Sequence, residues 1–170
     1  MRGFVPFGPD HWAVFVVLFI GTLTLVALGQ RLRKAADDRL RVGLAAVLVG
    51  NELIAYGTSL AHGVVRLPLQ LCDLAFLLTV LALVSLRPAV GEVAYFWGLA
   101  GSLQAILTPD LQTGFPGYWW VKFFVSHCGV VLSVVYLAVS GRVRPTHESI
   151  WRVFGWTNLY AVIAGGLNGW

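Results

Sequence analysis

Charged side chains are scarce in this sequence, and their scarcity decides which class of protein it encodes. Only 12% of the 170 residues are Asp, Glu, Lys or Arg, and 58% are hydrophobic. An ordinary soluble domain has about 25% charged residues. A soluble chain of this length cannot bury so much apolar surface in one core, so the excess must face lipid. The composition therefore predicts an integral membrane protein.

Cysteines and metal-binding motifs are equally sparse. The two cysteines, Cys72 and Cys128, both lie inside apolar runs, which is not the pattern of a disulfide framework. The sequence contains no CxxC, HxxxH or HExxH pattern and no signature of nucleic-acid binding. We therefore expect no metal, no cofactor and no nucleic-acid partner, and membrane lipids as the surroundings of the chain.

Long apolar runs are what the sequence has in abundance. A helix needs roughly 20 apolar residues to cross a bilayer, and six stretches are of about that length. They cover residues 12–29, 42–62, 68–86, 92–108, 118–140 and 150–168. These runs are continuous rather than alternating, and a helix satisfies its own backbone in lipid. The predicted fold is an all-α polytopic transmembrane bundle with six spans, in one domain over residues 1–170.

The basic residues predict how the bundle is oriented. Nine of them lie on one side of the predicted spans, in or beside the first, third and fifth connections: Arg31, Arg33, Lys34, Arg39, Arg41, Arg87, Arg142, Arg144 and Arg152. The other side has only Arg2, Arg66 and Lys122. The positive-inside rule places the nine in the cytoplasm and the N-terminus outside the plasma membrane. Asp37 and Asp38, among these arginines, are expected to be solvated.

Polar side chains inside the runs fall at one level of the bundle. Helical rise places Gln70, Cys72 and Asp73 about 5–9 Å below the outer boundary of the third span, and His127 about 14 Å below that of the fifth. Groups that lipid repels must face a shared interior, which predicts a polar cavity in the outer half. Its other predicted members are His11, Glu52, Gln104, Asp110, Lys122, Ser126 and Asn158.

Cys72 and His127 are the pair within this cluster with the clearest chemistry. An imidazole can take the proton of a thiol and make the nucleophilic thiolate. Asp73 or Asp110 would then orient the imidazole, and Gln70, Lys122 or Ser126 would hold an oxyanion. The alternative is a small buried thiol and a histidine that bridges helices. Cys128 follows His127 directly and cannot face it, so its expected role is packing.

Glu52 supports a different class of function. A carboxyl near mid-membrane is either a protonated structural group or part of an ion path. In the second case the protein is a small transporter or ligand-binding protein that uses Glu52, Asp73 and Asn158 as a polar pathway. The sequence also leaves open a structural subunit of a membrane assembly, and it does not fix the oligomeric state.

Four motifs resemble the YwaF family of bacterial integral membrane proteins. They are FGPDHW at 7–12, LPLQLCD at 67–73, YFWGLAGSLQAILTPD at 95–110 and FFVSHCGVV at 123–131. The family often has histidine where Gln70 stands, and a small polar residue where Asp73 stands. The final AGGLNGW is similar to the start of the family's Gly/Asn-rich turn, which leaves room for a seventh span after residue 170.

This resemblance implies an activity. A eukaryotic branch of the superfamily is described as a transmembrane acyltransferase that acts on ether lysophospholipids. Carried over to this chain, it implies Cys72 as nucleophile, His127 as base, and a lysophospholipid or acyl donor as substrate. The expected function is thus an intramembrane lipid acyltransferase or hydrolase.

Overall fold

A computed structural model describes residues 3–65 and 70–168, and the side chains of these residues as far as Gly166. Within these ranges the chain forms six helices and no strand, so the all-α prediction is confirmed. The helices are α1 Pro9–Leu28, α2 Lys34–Ala61, α3 Leu71–Ser85, α4 Pro88–Leu107, α5 Tyr118–Val139 and α6 His147–Asn168. A single antiparallel bridge, Gly3 to Thr113, joins the N-terminal segment to the connection between α4 and α5.

Local sequence explains where several helices begin. Pro9 and Pro88 stand in the first turns of α1 and α4, where a missing backbone N–H costs nothing. Gln70 and Asp73 form a capping box at the start of α3, in which Asp73 Oδ2 accepts a hydrogen bond from the Gln70 N–H at 3.2 Å. The side chains that cap α3 are therefore among those predicted for the site.

Three of the helices in the described part of the chain, α1, α2 and α5, are long and apolar enough to cross a membrane. Helix α3 is apolar but has 15 residues, which gives a length of about 22 Å. These features are those of a helical membrane protein. A count of six spans remains a prediction, as does the side of the membrane on which each end lies.

Each predicted apolar stretch coincides with a helix, and the largest difference is at the start of α2. The predicted stretch begins at residue 42, whereas the helix begins at Lys34 and takes in eight of the twelve residues of the charged connection 30–41. The first two residues of the third stretch, 68 and 69, lie outside the described ranges. We call the end of the bundle formed by connections 29–33, 86–87 and 140–146 the basic end, and the other the cavity end.

Asp37 corrects one expectation about the basic end. It is buried rather than solvated, because Tyr136 Oη and Arg142 Nη2, the latter at 2.7 Å, both donate to its carboxylate. Arg41 Nε also donates to Asp37, at 3.3 Å, and Arg41 Nη1 donates to the Leu83 carbonyl of α3. This network, which we call the Asp37 network, fastens α2 to α3 and α5 at the basic end.

Helix α5 is the centre of the packing, because it contacts α1, α2, α3 and α4, whereas α6 packs on α4. Glycines allow close approach at two places. A Cβ on Gly98 would lie 3.0 Å from Val130 Cγ1, and a Cβ on Gly129 would lie 2.8 Å from Leu48 Cδ2. The α6 glycines at 165 and 166 have no such neighbour within 4 Å, and Gly169 lies outside the described ranges.

Candidate functional site

A cavity of about 770 Å³ lies between α2, α3 and α5 in the half of the bundle toward the cavity end. Its walls come from the second half of α2, the first halves of α3 and α5, and Ser102 near the end of α4. Seven of the eleven predicted site residues line it: Glu52, Gln70, Cys72, Asp73, Lys122, Ser126 and His127. Residues far apart in the sequence are thus brought to one internal surface.

Cys72 enters the cavity from the start of α3. It is the second residue of that helix, where the partial positive charge of the helix N-terminus favours an anion. A Cβ on Gly101 would lie 3.7 Å from Cys72 Sγ, so the thiol packs against the bare backbone of α4. The adjacent Asp73 carboxylate opposes a thiolate, but its Oδ2 is turned to the Gln70 N–H.

His127 reaches the same part of α4 from α5. Its Nδ1 lies 3.4 Å from the hydroxyl of the buried Ser102, and its ring packs on Phe123 with 4.4 Å between ring centroids. Cys72 contacts Gly101, and His127 contacts the next residue, Ser102. The thiol and the imidazole therefore line the same cavity, and each of them lies beside the same part of α4.

Two consecutive residues of α2, Asn51 and Glu52, bond to α5 beside the cavity. Asn51 Nδ2 donates to the Lys122 carbonyl at 3.0 Å and to Ser126 Oγ at 2.9 Å. The Glu52 carboxylate pairs with Lys122 Nζ at 3.0 Å. Because Asn51 is the donor to Ser126 Oγ, the hydroxyl hydrogen of Ser126 can still be donated to another acceptor.

The other four predicted residues are not among those that line the cavity. His11 is fully buried among aromatic rings, with Nδ1 accepting from the Phe7 N–H at 3.0 Å and Nε2 2.7 Å from the Ile106 carbonyl. Gln104 bonds to Thr108 on the exposed side of α4, and Asn158 bonds to Phe154 on α6. Asp110 is exposed in the connection after α4.

Comparison with known families gives a match to a model of the TMEM164 family over residues 6–170, which is nearly the whole chain. The chain belongs to the TMEM164 family. A relative described as an uncharacterized protein of Treponema pallidum (strain Nichols) is 31% identical over 142 residues. That match covers 79% of this chain and 59% of the relative, so the chain spans about three fifths of the relative's length. No solved structure matches the chain.

This membership corrects the resemblance drawn from the four motifs. TMEM164 is a different family from YwaF, so assignment to the YwaF family was wrong. Those motifs lie within residues 7–131, and 20 of their 38 residues are Gly, Pro, Leu or aromatic residues, which are common in membrane helices of many families. The TMEM164 match extends through α6 and therefore draws on the sequence after residue 131 as well.

Ser102 is the residue of this TMEM164 family member that sequence reasoning missed. It lies five residues before the end of α4, about 8 Å inside the helix, which is the depth assigned to Cys72. Its depth was therefore a usable signal, but a single serine next to glycine is indistinguishable from a packing residue. Asn51 is not among the predicted site residues either, and in the structure it donates hydrogen bonds to the Lys122 carbonyl and to Ser126.

The described residues contain no group of three or more His, Cys, Asp or Glu side chains able to hold a metal ion. Both cysteines are free thiols. Cys128 packs against the cluster formed by Val14, Ile106, Phe124 and Val131 and does not line the cavity. The two thiols of this TMEM164 family member thus have different surroundings, and Cys128 serves as a control for Cys72.

Proposed function

We propose that this protein is a membrane-embedded lipid acyltransferase or hydrolase with Cys72 as nucleophile and His127 as general base. One observation carries the proposal. Both side chains line one cavity and contact consecutive residues of α4, Gly101 and Ser102. To share a proton, a nucleophile and a base must come within hydrogen-bond reach of each other, and a common cavity lets the two side chains do so by a small movement.

The reaction follows from these two groups. His127 takes the proton of the Cys72 thiol, and the sulfur attacks the carbonyl carbon of a phospholipid ester. The ester C–O bond breaks, the leaving oxygen takes the proton from His127, and a thioester forms on Cys72. A lysophospholipid hydroxyl or a water then attacks the thioester and gives its proton to His127. That proton returns to the sulfur, so transfer and hydrolysis differ only in the acceptor.

Ser126 is the best-placed donor for the oxyanion. Its hydroxyl lines the cavity one residue before His127, and Asn51 donates to it, which leaves the hydroxyl hydrogen for the substrate. Lys122 contributes positive charge to the same wall, although Glu52 holds its ammonium group at 3.0 Å. Gln70 lines the cavity at the start of α3 and is exposed, which suits contact with a headgroup.

The geometry supports a transporter less well. A polar pathway through Glu52, Asp73 and Asn158 needs all three in one passage, and Asn158 lies on α6, which packs on α4. Toward the basic end the cavity meets close packing, where Leu48 lies against Gly129. Glu52 itself is paired with Lys122, as a structural carboxylate would be.

The test uses the purified full chain in vesicles with a phospholipid that carries a labelled acyl chain and an unlabelled lysophospholipid acceptor. We expect label to move to the acceptor or to appear as free fatty acid, and a thioester of that acyl group to be found on Cys72 by mass spectrometry. Cys72→Ala and His127→Ala should each reduce turnover at least about 100-fold.

Cys128→Ala is the matched control. It removes the thiol that follows His127 on α5, and Cys128 does not line the cavity. Its turnover should stay within about twofold of the parent. If Cys72→Ala turns over lipid as fast as the parent, Cys72 is not the nucleophile and the proposed mechanism is wrong.

A further inference from the structure

The cavity ends a short distance from the thiol in the direction of the basic end. Its lining residues furthest in that direction are Val49 on α2, Phe76 and Leu77 on α3, and Val130 on α5, about one helical turn beyond Glu52, Cys72 and Ser126. One turn is about 5–6 Å, which is room for only a few methylene groups. Beyond them Leu48 is buried against Gly129, so the packing is closed. A long acyl chain attached at Cys72 does not fit in this direction.

The same cavity has an apolar side between α2 and α3. Leu53, Tyr56 and Leu77 line it and are nevertheless 66%, 46% and 50% exposed, so their side chains reach the outside of the bundle. Toward α4 and α5 the wall is closed, because Ser102 and Ser126 are buried. The two helices are joined at the basic end through Arg41 and the Leu83 carbonyl, and toward the cavity end both of them line the cavity.

We call the apolar side of the cavity lined by Leu53, Tyr56 and Leu77 the cleft. We propose that the acyl chain of the substrate lies in this cleft and passes sideways between α2 and α3 into the surrounding lipid. The inference rests on the proposed function for the ester carbonyl at Cys72, and it adds the route of the chain. The polar lining near Cys72 and His127 holds the ester, and the apolar side chains of Leu53 and Leu77 contact the methylenes. Since bilayer lipid covers an exposed apolar surface without a solvation cost, the opening is stable in a membrane.

If the acyl chain leaves the protein after a few methylene groups, the protein does not contact the rest of the chain and cannot select substrates by chain length. We therefore expect turnover to vary little among long acyl chains, because their distal ends all lie in the bilayer. A closed pocket would instead discriminate by the number of methylenes.

The experiment places a large side chain in the opening. Leu77→Trp should lower transfer from palmitoyl phosphatidylcholine at least about 10-fold more than it lowers hydrolysis of the short ester p-nitrophenyl butyrate. Leu81→Trp is the matched control, since Leu81 is 45% exposed on the same helix, one turn later, and does not line the cavity. It should leave both rates unchanged.

A second measurement does not depend on turnover or on the folding of the tryptophan variant. Cys72→Ala in vesicles with phosphatidylcholine carrying a diazirine in its palmitoyl chain is irradiated and digested. We expect adducts on the peptides that contain Leu53, Tyr56 and Leu77 in excess of those that contain Leu81. Equal labelling of these peptides, or equal loss of short-ester and long-chain activity in Leu77→Trp, overturns the sideways route.

The two proposals fail in different ways. Full activity of Cys72→Ala removes the catalytic assignment, and adducts in the cleft would then still identify a site for lipid chains. An inactive Cys72→Ala together with no excess of adducts in the cleft keeps the nucleophile and removes the route.

Discussion

The buried Asp37 carboxylate accepts hydrogen bonds from three residues, one in α2, one in α5 and one in the connection after α5. It is 3% exposed and accepts hydrogen bonds from Tyr136, Arg142 and Arg41. Arg41 is itself buried, so loss of the carboxylate leaves a guanidinium group with less compensation in a poorly hydrated place. A buried ion pair adds little net stability over an apolar pair, but removal of one partner is costly.

We therefore predict that Asp37→Ala destabilises the protein by about 3 kcal/mol, measured as a lower unfolding midpoint in detergent. Asp38→Ala is the control, because Asp38 also pairs with Arg41 but its side chain is 47% exposed. That variant should lose less than about 1 kcal/mol. Equal midpoints for the two variants would show that the Asp37 network does not hold the basic end together.

Residues of the site differ in how far the sequence could predict them. Cys72 and His127 were identifiable because a thiol and an imidazole in apolar runs at similar depth need a common polar surface. His11 satisfied the same criterion, yet both its ring nitrogens bond to backbone groups next to aromatic rings. Depth alone does not give the direction in which a side chain points around its helix, and that direction separates His11 from His127.

At the scale of elements, apolar runs predicted the helices and their order, because a membrane helix must be continuous and apolar. The predicted start of α2 was wrong by eight residues. A run of charged residues is typical of a connection between helices, and the local sequence does not show that partners elsewhere in the chain can bury such residues in a helix. In the structure, those partners are Tyr136 and Arg142 of a later part of the chain. Contacts between distant segments were therefore the information that the local pattern lacked.

Gly91 lies so close to Val143 that a side chain larger than a hydrogen atom does not fit without a shift of its neighbours. A Cβ at this position of α4 would lie 2.2 Å from Val143 Cγ2, and Val143 is buried. We predict that Gly91→Ala lowers the free energy of unfolding by about 1–3 kcal/mol through overpacking. The double variant with Val143→Ala should regain part of this loss, because the shorter side chain makes room for the new methyl group.

Gly43→Ala provides the comparison for the unfolding midpoint of Gly91→Ala. Gly43 lies in α2 with nothing within 4 Å of a built Cβ, so alanine there should be neutral or stabilising by up to about 1 kcal/mol. Equal midpoints for the two single variants would mean that Gly91 of α4 does not pack closely against Val143 of the connection after α5.

At the scale of the whole molecule, the two ends of the bundle have different chemistry. Connections at the basic end, with the adjoining turns of α2 and α6, carry nine Lys and Arg residues, and the cavity opens in the other half. The positive-inside rule counts these residues rather than the net charge, so the acidic partners Asp37 and Glu92 do not weaken it. The rule predicts a cytoplasmic basic end, which would give the cavity access to lipid of the outer leaflet.

Cysteine labelling in intact cells tests this orientation. In a background with Cys72→Ala and Cys128→Ala, Gln112→Cys lies exposed between α4 and α5 at the cavity end, and Glu148→Cys lies at the basic end, where the Glu148 side chain is 88% exposed. Neither substitution changes the number of basic residues. We expect a membrane-impermeant maleimide to label Gln112→Cys in intact cells and Glu148→Cys only after permeabilisation. The reverse pattern would place the cavity in the cytoplasmic half, where an acyl donor would have to come from the inner leaflet.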